Sequence, residues 1–208
     1  MSITRTIGGK VALATLVAVA AASVWAVTAG SAARPAKTTS ATVAGANATL
    51  VTDLALARQA TAKYVTNLAR AKADGYGIIT KMIPNMGYHF LSGKVKGFDV
   101  RRPPILVYEH HGSSWQLAAI EWVFTSKPAK APLPGAKYGS FGAGCHYEDG
   151  TFVPAATQDA CPKTDPETGA AFNFWHPVLI TLHVWLWYPN PSGLYASTNP
   201  LVAAYNKG

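Results

Sequence analysis

The stretch WHPVLITLHVWLWYPNPSGLYASTNP, residues 175–200, decides the fold that we predict for this chain. Within it, residues 178–188 are apolar on both alternating faces, a pattern typical of a strand that is covered on both sides. The proline, asparagine and glycine residues at 189–193 prevent the strand from continuing. His183 lies in the middle of the strand, and burying its imidazole is costly unless a partner satisfies the ring nitrogens. The groups around His183 are therefore the first place to look for a site.

One helix and four further short strands are predicted before this segment. Apolar residues recur at helical spacing from Asp53 to Asp74, and Gly75 is placed to end the helix in a left-handed cap. Residues 127–174 are rich in Pro, Gly, Lys and Asp, which predicts long irregular loops. We predict an α+β fold in which one N-terminal amphipathic helix packs on a mainly antiparallel β-sheet with residues 178–188 at its centre. The other predicted strands are residues 76–83, 86–91, 105–109 and 115–124.

The first 33 residues have the order of a secretory signal peptide. Arg5 and Lys10 precede an apolar run that ends near Val27, and small residues follow as far as Ala33, after which we predict cleavage. The run is about seventeen residues long, near the lower limit for a membrane span, so an uncleaved N-terminal membrane anchor is the alternative. Charges or prolines interrupt every later apolar run, so the mature chain contains no predicted span. The prediction is a secreted, extracytoplasmic protein.

The remainder of the chain is predicted to be one domain behind a short leader. Residues 34–48 are small and polar without periodicity, which predicts a flexible leader, and residues 49–208 are predicted to form a single domain. Residues 1–33 contain two of the 18 basic residues and none of the ten acidic ones, so the remainder carries a net charge of +6. This charge favours an anionic envelope polymer as a partner. Nucleic acid is disfavoured, because the basic residues are scattered and no nucleic-acid motif accompanies them.

Two cysteines, Cys145 and Cys161, are predicted to form a disulfide, since an exported chain meets an oxidising compartment. The bond would close a loop of about fifteen residues, for which chain entropy gives about 3 kcal/mol. The alternative is that a cysteine thiolate beside His146 binds a metal.

The main candidate site consists of His89, Glu121 and His183, because each lies on its own predicted strand. Two imidazoles and a carboxylate can hold a divalent transition metal, and copper or zinc suits this ligand set outside the cytoplasm. The alternative is that these side chains form a neutral hydrogen-bonded network in the core. His176 precedes Pro177 at the entrance of the last strand, where it is either an additional ligand or simply the first strand residue.

A second function class, a module that binds polysaccharide without catalysis, is suggested by the aromatic residues. A surface groove of such rings would stack sugars, although aromatic residues at strand spacing also build cores. No nucleophile elbow and no glycine-rich phosphate loop is present, so the sequence predicts no particular reaction. The residues concerned are Trp115, Trp122, Trp175, Trp185, Trp187 and Tyr188.

Five segments together resemble a family of bacterial exported proteins of unassigned activity. Members share an ATxxY helix ending in DGY, an MGxHY or MGYHF segment, a PExLxY strand, an LEY-type strand and a closing LHxWxWxxNPxGxFAxxNP stretch. This chain departs from the pattern at Pro104, where the family often has an acid, and by its cysteine-containing insert. The matching segments are ATAKYVTNLARAKADGY (60–76), MGYHF (86–90), PPILVYE (103–109), LAAIEWVF (117–124) and LHVWLWYPNPSGLYASTNPLV (182–202). The resemblance implies export and points to His89, Glu121, His183, Asn190, Gly193 and Asn199.

Overall fold

The computed structural model describes residues 38–205, with side chains from residue 45 onward. The signal peptide and cleavage site that we predict within residues 1–33 lie outside the described residues. Among residues 38–205, no helix combines the length and the apolar character that crossing a membrane requires.

The helical region is divided into three pieces. Helix α1 spans Thr38–Thr61, a 3-10 helix spans Ala62–Tyr64, and α2 spans Leu68–Ala73. The predicted continuous helix over 53–74 is therefore interrupted, because the Asn67 side chain accepts a hydrogen bond from the backbone N–H of Arg70 and starts a new helix there. After α2, Gly75 has a φ of 99°, as expected for a left-handed cap.

The start of α1 corrects the predicted leader. The helix begins at Thr38, so residues 38–48 are helical where we expected a flexible segment. This stretch is rich in alanine, which has the highest helix propensity. Burial starts only further along, at Leu50 and Leu54, and is complete at Ala57 and Thr61. The first turns of α1 with described side chains are exposed.

Nine strands in the described part of the chain form two antiparallel sheets. The order in the larger sheet is β1-β2-β3-β4-β9-β5, and the order in the smaller one is β7-β6-β8. Neighbouring strands are antiparallel throughout. The strands are β1 Tyr76–Ile83, β2 Gly87–Ser92, β3 Ile105–His111, β4 Ser114–Phe124, β5 Gly139–Phe141, β6 Gly144–Tyr147, β7 Phe152–Pro154, β8 Phe172–His176 and β9 Leu179–Val184.

The strand that we placed at the centre of the sheet is shorter and lies next to the edge. Strand β9 ends at Val184 and pairs with β4 on one side and with the three-residue edge strand β5 on the other. The centre is occupied by β3 and β4. Beyond Val184 the chain leaves the ladder, because the N–H of Trp185 donates to the carbonyl of Leu194 and that of Trp187 donates to the carbonyl of Ala118.

A β-bulge in β4 changes which residues share a face. The pairing with β3 shifts by one residue after Val107, which leaves Ala118 as the extra residue. Leu117 consequently packs in the same core as Ile120, although simple alternation places it on the face of Glu121. The bulge therefore places Leu117 in the core of large side chains, whereas Ala118 and Ala119 belong to the cluster on the other face.

The two faces of the larger sheet are packed differently. One face meets the helices through large side chains such as Tyr108, Trp122 and Leu182. The opposite face carries smaller side chains, including Val107 and Ala119. Small side chains on a curled sheet leave open volume in front of it, and the site lies on this side.

The smaller sheet was missed by the sequence analysis, which predicted irregular loops over residues 127–174. Strand β6 is its middle strand and carries Cys145, which forms the predicted disulfide with Cys161. The bond ties β6 to the loop that follows the 3-10 helix Gln158–Ala160. The sequence FNFWH of β8 does alternate with a period of two and was the signal for this sheet.

Candidate functional site

A cavity of about 800 Å³ lies between the small-residue face of the larger sheet and the smaller sheet. Its walls are mostly apolar, with Ile79, Ile105 and Val123 on one side and Phe174 on the other. Cavities of this size, apolar with a few polar groups, are typical of sites for small molecules. The titratable side chains that line it are His89, Lys96, Glu121, His146 and His176.

His89 and Glu121 form the polar floor of the cavity. Strand β2 carries His89 and β4 carries Glu121, and the distance from Nε2 of His89 to Oε2 of Glu121 is 3.6 Å. This distance is too long for a hydrogen bond but short enough for a direct electrostatic contact. Both side chains are more than nine-tenths buried. The two groups therefore face each other in a region of low dielectric constant.

Thr80 holds the ring of His89 in place. The Thr80 hydroxyl oxygen accepts a hydrogen bond from the backbone N–H of His89 at 3.1 Å and lies 2.9 Å from the ring Nδ1. These two contacts fix the orientation of the His89 ring, with Nε2 directed toward Glu121.

Burial keeps this pair largely uncharged. It raises the pKa of Glu121 to about 7, although a hydrogen bond with the Thr181 side chain acts in the opposite direction. It lowers the pKa of His89 to about 4, and nearby His146 lowers it further, against a raising hydrogen bond with the backbone of Gly87. The contact of 3.6 Å is thus not a conventional ion pair, because the imidazole is neutral wherever the carboxyl is ionised. Glu121 can exchange a proton near neutral pH.

His183 lies beside this pair but does not line the cavity. It is directly opposite Glu121 in the ladder between β4 and β9, and its ring centroid is 6.4 Å from that of His89. Neither ring nitrogen has a hydrogen-bond partner among the described residues. Burial, with a further contribution from His89, lowers the pKa of His183 to about 3. The imidazole is neutral and packs 4.8 Å from the Trp185 ring.

The smaller sheet contributes His146 and His176 to the cavity lining. Nδ1 of His146 donates to the carbonyl of Ile79 at 2.6 Å, and Nδ1 of His176 donates to the carbonyl of Pro177 at 2.6 Å. The two ring centroids are 5.0 Å apart. Burial lowers the pKa of His146 to about 4, although its hydrogen bond to Ile79 raises it. Both rings are fixed in orientation by backbone carbonyls.

The structure brings His89, Glu121 and His183 into one region, and His176 lines the cavity. Asn190 and Asn199 are elsewhere and hold the C-terminal loop together. The Asn190 side chain donates to the carbonyl of Thr198. Buried Asn199 donates to the carbonyl of Pro189 and accepts from the N–H of Leu201. Gly193, in the same loop, has a φ of 107°, which explains a glycine there.

The predicted metal site has the residues but not the arrangement of a metal centre. Among the side chains of residues 45–205, no group of three or more His, Cys, Asp or Glu is placed to hold a metal ion. The cysteines are both in the disulfide, which excludes the thiolate alternative beside His146.

The tryptophans among residues 45–205 mostly follow the core alternative. Trp122 and Trp185 are buried, and Trp115, Trp175 and Trp187 are partly accessible. Four indole N–H groups donate to groups within the protein, as when Trp187 donates to the Thr61 hydroxyl. The hydrophobic clusters include Trp115, Trp122, Trp185 and Trp187.

The sequence pointed to His146 only as a neighbour of Cys145 and not as part of the main candidate site. It follows Cys145 in a segment that we predicted to be irregular, so no face could be assigned to it. The signal was the alternation of β6, in which Cys145 and His146 must point to opposite faces. Thr80 and Thr181 were also missed, because a lone threonine on a strand gives no signal.

No protein-family model, no curated protein and no solved structure matches this chain. The site must therefore be interpreted from its own geometry.

Proposed function

We propose that this is an exported protein that binds a small, mostly apolar molecule in the cavity between its two sheets. The observation that carries the proposal is an apolar cavity of about 800 Å³ with the His89–Glu121 pair on its floor. A mostly apolar pocket with a few fixed polar groups gives both affinity and orientation. The disulfide supports export, because such bonds persist in oxidising compartments. The resemblance to a family of exported proteins also supports export.

The His89–Glu121 pair on the cavity floor indicates which polar interactions a bound molecule can make. When protonated, Glu121 donates a hydrogen bond to an acceptor such as a carbonyl oxygen, and when ionised it accepts a proton. His89 limits where that proton can go, because its own pKa of about 4 keeps it neutral. If the bound molecule is a substrate, proton transfer by Glu121 is the reaction step that this chain can provide.

Filling the cavity tests the proposal. The probe is N-phenyl-1-naphthylamine, a neutral apolar dye whose fluorescence rises in an apolar site. Val123 lines the cavity, and Val123→Phe should weaken binding at least about tenfold, since the added ring occupies ligand volume. Val51→Phe makes the same change at an exposed position of α1 and should bind like wild type. Equal affinity in both variants, or no binding to wild type, would refute the proposal.

A copper or zinc ion held by His89, Glu121 and His183 is the second candidate. It is favoured by His183, whose two buried ring nitrogens lack hydrogen-bond partners in the described structure. It is disfavoured by the arrangement of the three side chains. Elemental analysis of the purified protein decides the matter: stoichiometric metal that is lost in His183→Phe supports the candidate, and a metal-free wild type that binds the dye rejects it.

A further inference from the structure

The smaller sheet presents a buried nitrogen for which no protein group provides a hydrogen bond. His176 is 8% exposed and lines the cavity. Its Nδ1 is occupied by the Pro177 carbonyl, and its buried Nε2 has no partner within the described residues. A buried polar atom without a partner is unfavourable, so a ligand that supplies a hydrogen bond to it binds more tightly. His176 is therefore more than a packing residue in this wall.

His146 lines the same cavity. Its Nδ1 must be the protonated nitrogen, because the Ile79 carbonyl at 2.6 Å can only accept. In the neutral ring Nε2 is then a lone-pair acceptor. The same reasoning makes Nε2 of His176 an acceptor in its neutral form. The two ring centroids are 5.0 Å apart, so the two acceptors belong to neighbouring rings.

Aromatic rings surround these acceptors. The ring of Phe174 stacks on His146 with centroids 4.6 Å apart, and Phe141 stacks on His176 at 5.3 Å. Both phenylalanines line the cavity. This part of the cavity thus combines flat apolar walls with hydrogen-bond acceptors, while His89 and Glu121 form the polar floor of the same cavity.

We propose that the ligand is a phenol or a similar aromatic alcohol whose hydroxyl donates a hydrogen bond to Nε2 of His146 or His176. This inference rests on the proposed function, since it names the class of molecule that the cavity binds. The flat rings select an aromatic body, and the two acceptors select a donor at its end. An aromatic ether of the same size fits the walls but leaves the acceptors unsatisfied.

The test compares 1-naphthol with 1-methoxynaphthalene, which has the same ring system but no hydroxyl proton. Dissociation constants are measured at pH 8 with the purified protein. We expect wild type to bind 1-naphthol at least about tenfold more tightly than the ether, equivalent to about 1.4 kcal/mol. His176→Phe and His146→Phe each keep a flat ring but remove one acceptor. At least one of these variants should reduce the ratio of the two dissociation constants to near one, while its affinity for the ether stays that of wild type.

The control is His110→Phe, the same change at a ring that packs on Trp115. It should leave the ratio unchanged. A wild-type ratio near one refutes the inference whether or not the histidine variants fold, and a ratio that survives in both variants also refutes it. The dye distinguishes the failure of the two proposals. If wild type binds the dye tightly but shows a ratio near one, only the inference about aromatic alcohols is refuted. If wild type does not bind the dye, the proposed function is refuted as well.

Discussion

Replacing Glu121 by glutamine should make the protein more stable at pH 8 than wild type. Burial raises the pKa of this carboxyl to about 7 in the folded protein, against its ordinary value of 4.5. Because the folded-state pKa is raised, the folded state holds the proton more tightly than the unfolded chain does. Stability is then lost as the pH rises through the window from 4.5 to 7 and stays lost above it. Glutamine carries no charge, so it avoids this loss.

The size of the effect follows from the pKa difference of about 2.5 units. Each unit corresponds to 1.36 kcal/mol, so the ionised carboxyl lowers the free energy of unfolding by about 3 kcal/mol above pH 7. The difference between Glu121→Gln and wild type should therefore be small below pH 4.5, grow with pH and level off above pH 7. His89, 3.6 Å away, does not reverse this sign because it is neutral throughout the window.

Urea unfolding at several pH values between 4.5 and 8, followed by circular dichroism, measures this difference. The matched control is Glu148→Gln at an exposed carboxyl, which should follow wild type at each pH. A Glu121→Gln variant that is less stable than wild type at pH 8 would refute the reasoning. It would mean that the carboxylate is paired with a protonated His89, the reverse of the charge state inferred here.

Three further predictions follow from the described contacts. The double variant Cys145→Ser, Cys161→Ser should lose about 3 kcal/mol of unfolding free energy in urea, because the unfolded chain regains the entropy of the open loop. His183→Phe should resist acid better than wild type, since the lowered pKa of His183 makes wild type lose stability as the pH falls below 6.5; thermal unfolding at pH 5 and pH 8 checks this. Asn199→Ala should cost about 1–3 kcal/mol through the two hydrogen bonds it removes, yet leave dye affinity unchanged, as fluorescence titration can show.

Local patterns were sufficient to predict most of the larger sheet. The strand at residues 76–83 has the bounds of β1, and the strands predicted at 105–109 and 115–124 are the cores of β3 and β4. Their apolar, strand-favouring composition predicts a buried strand in each case. The alternation within β9 also placed Leu182 and His183 on opposite faces correctly. These features depend on neighbours within a few residues, which a sequence displays directly.

The predictions were wrong where contacts between residues distant in sequence determine the structure. The bulge at Ala118 depends on pairing with β3, and no local pattern predicts which residue of an alternating strand will be the extra one. The position of β9 near the edge depends on β5, whose three residues are too short to give a strand signal. The smaller sheet depends on strands that pair across irregular connections.

The sequence by itself determined that the chain has a helix, an antiparallel sheet and a disulfide, and it named His89, Glu121 and His183. Only the tertiary structure decided that the first two face each other across 3.6 Å and that His146 and His176 line the same cavity. The physical reason is that residue type and spacing fix hydrophobic periodicity, whereas burial, tautomer and pKa are set by groups that are distant in sequence. The chemistry of this cavity is a property of two sheets brought together.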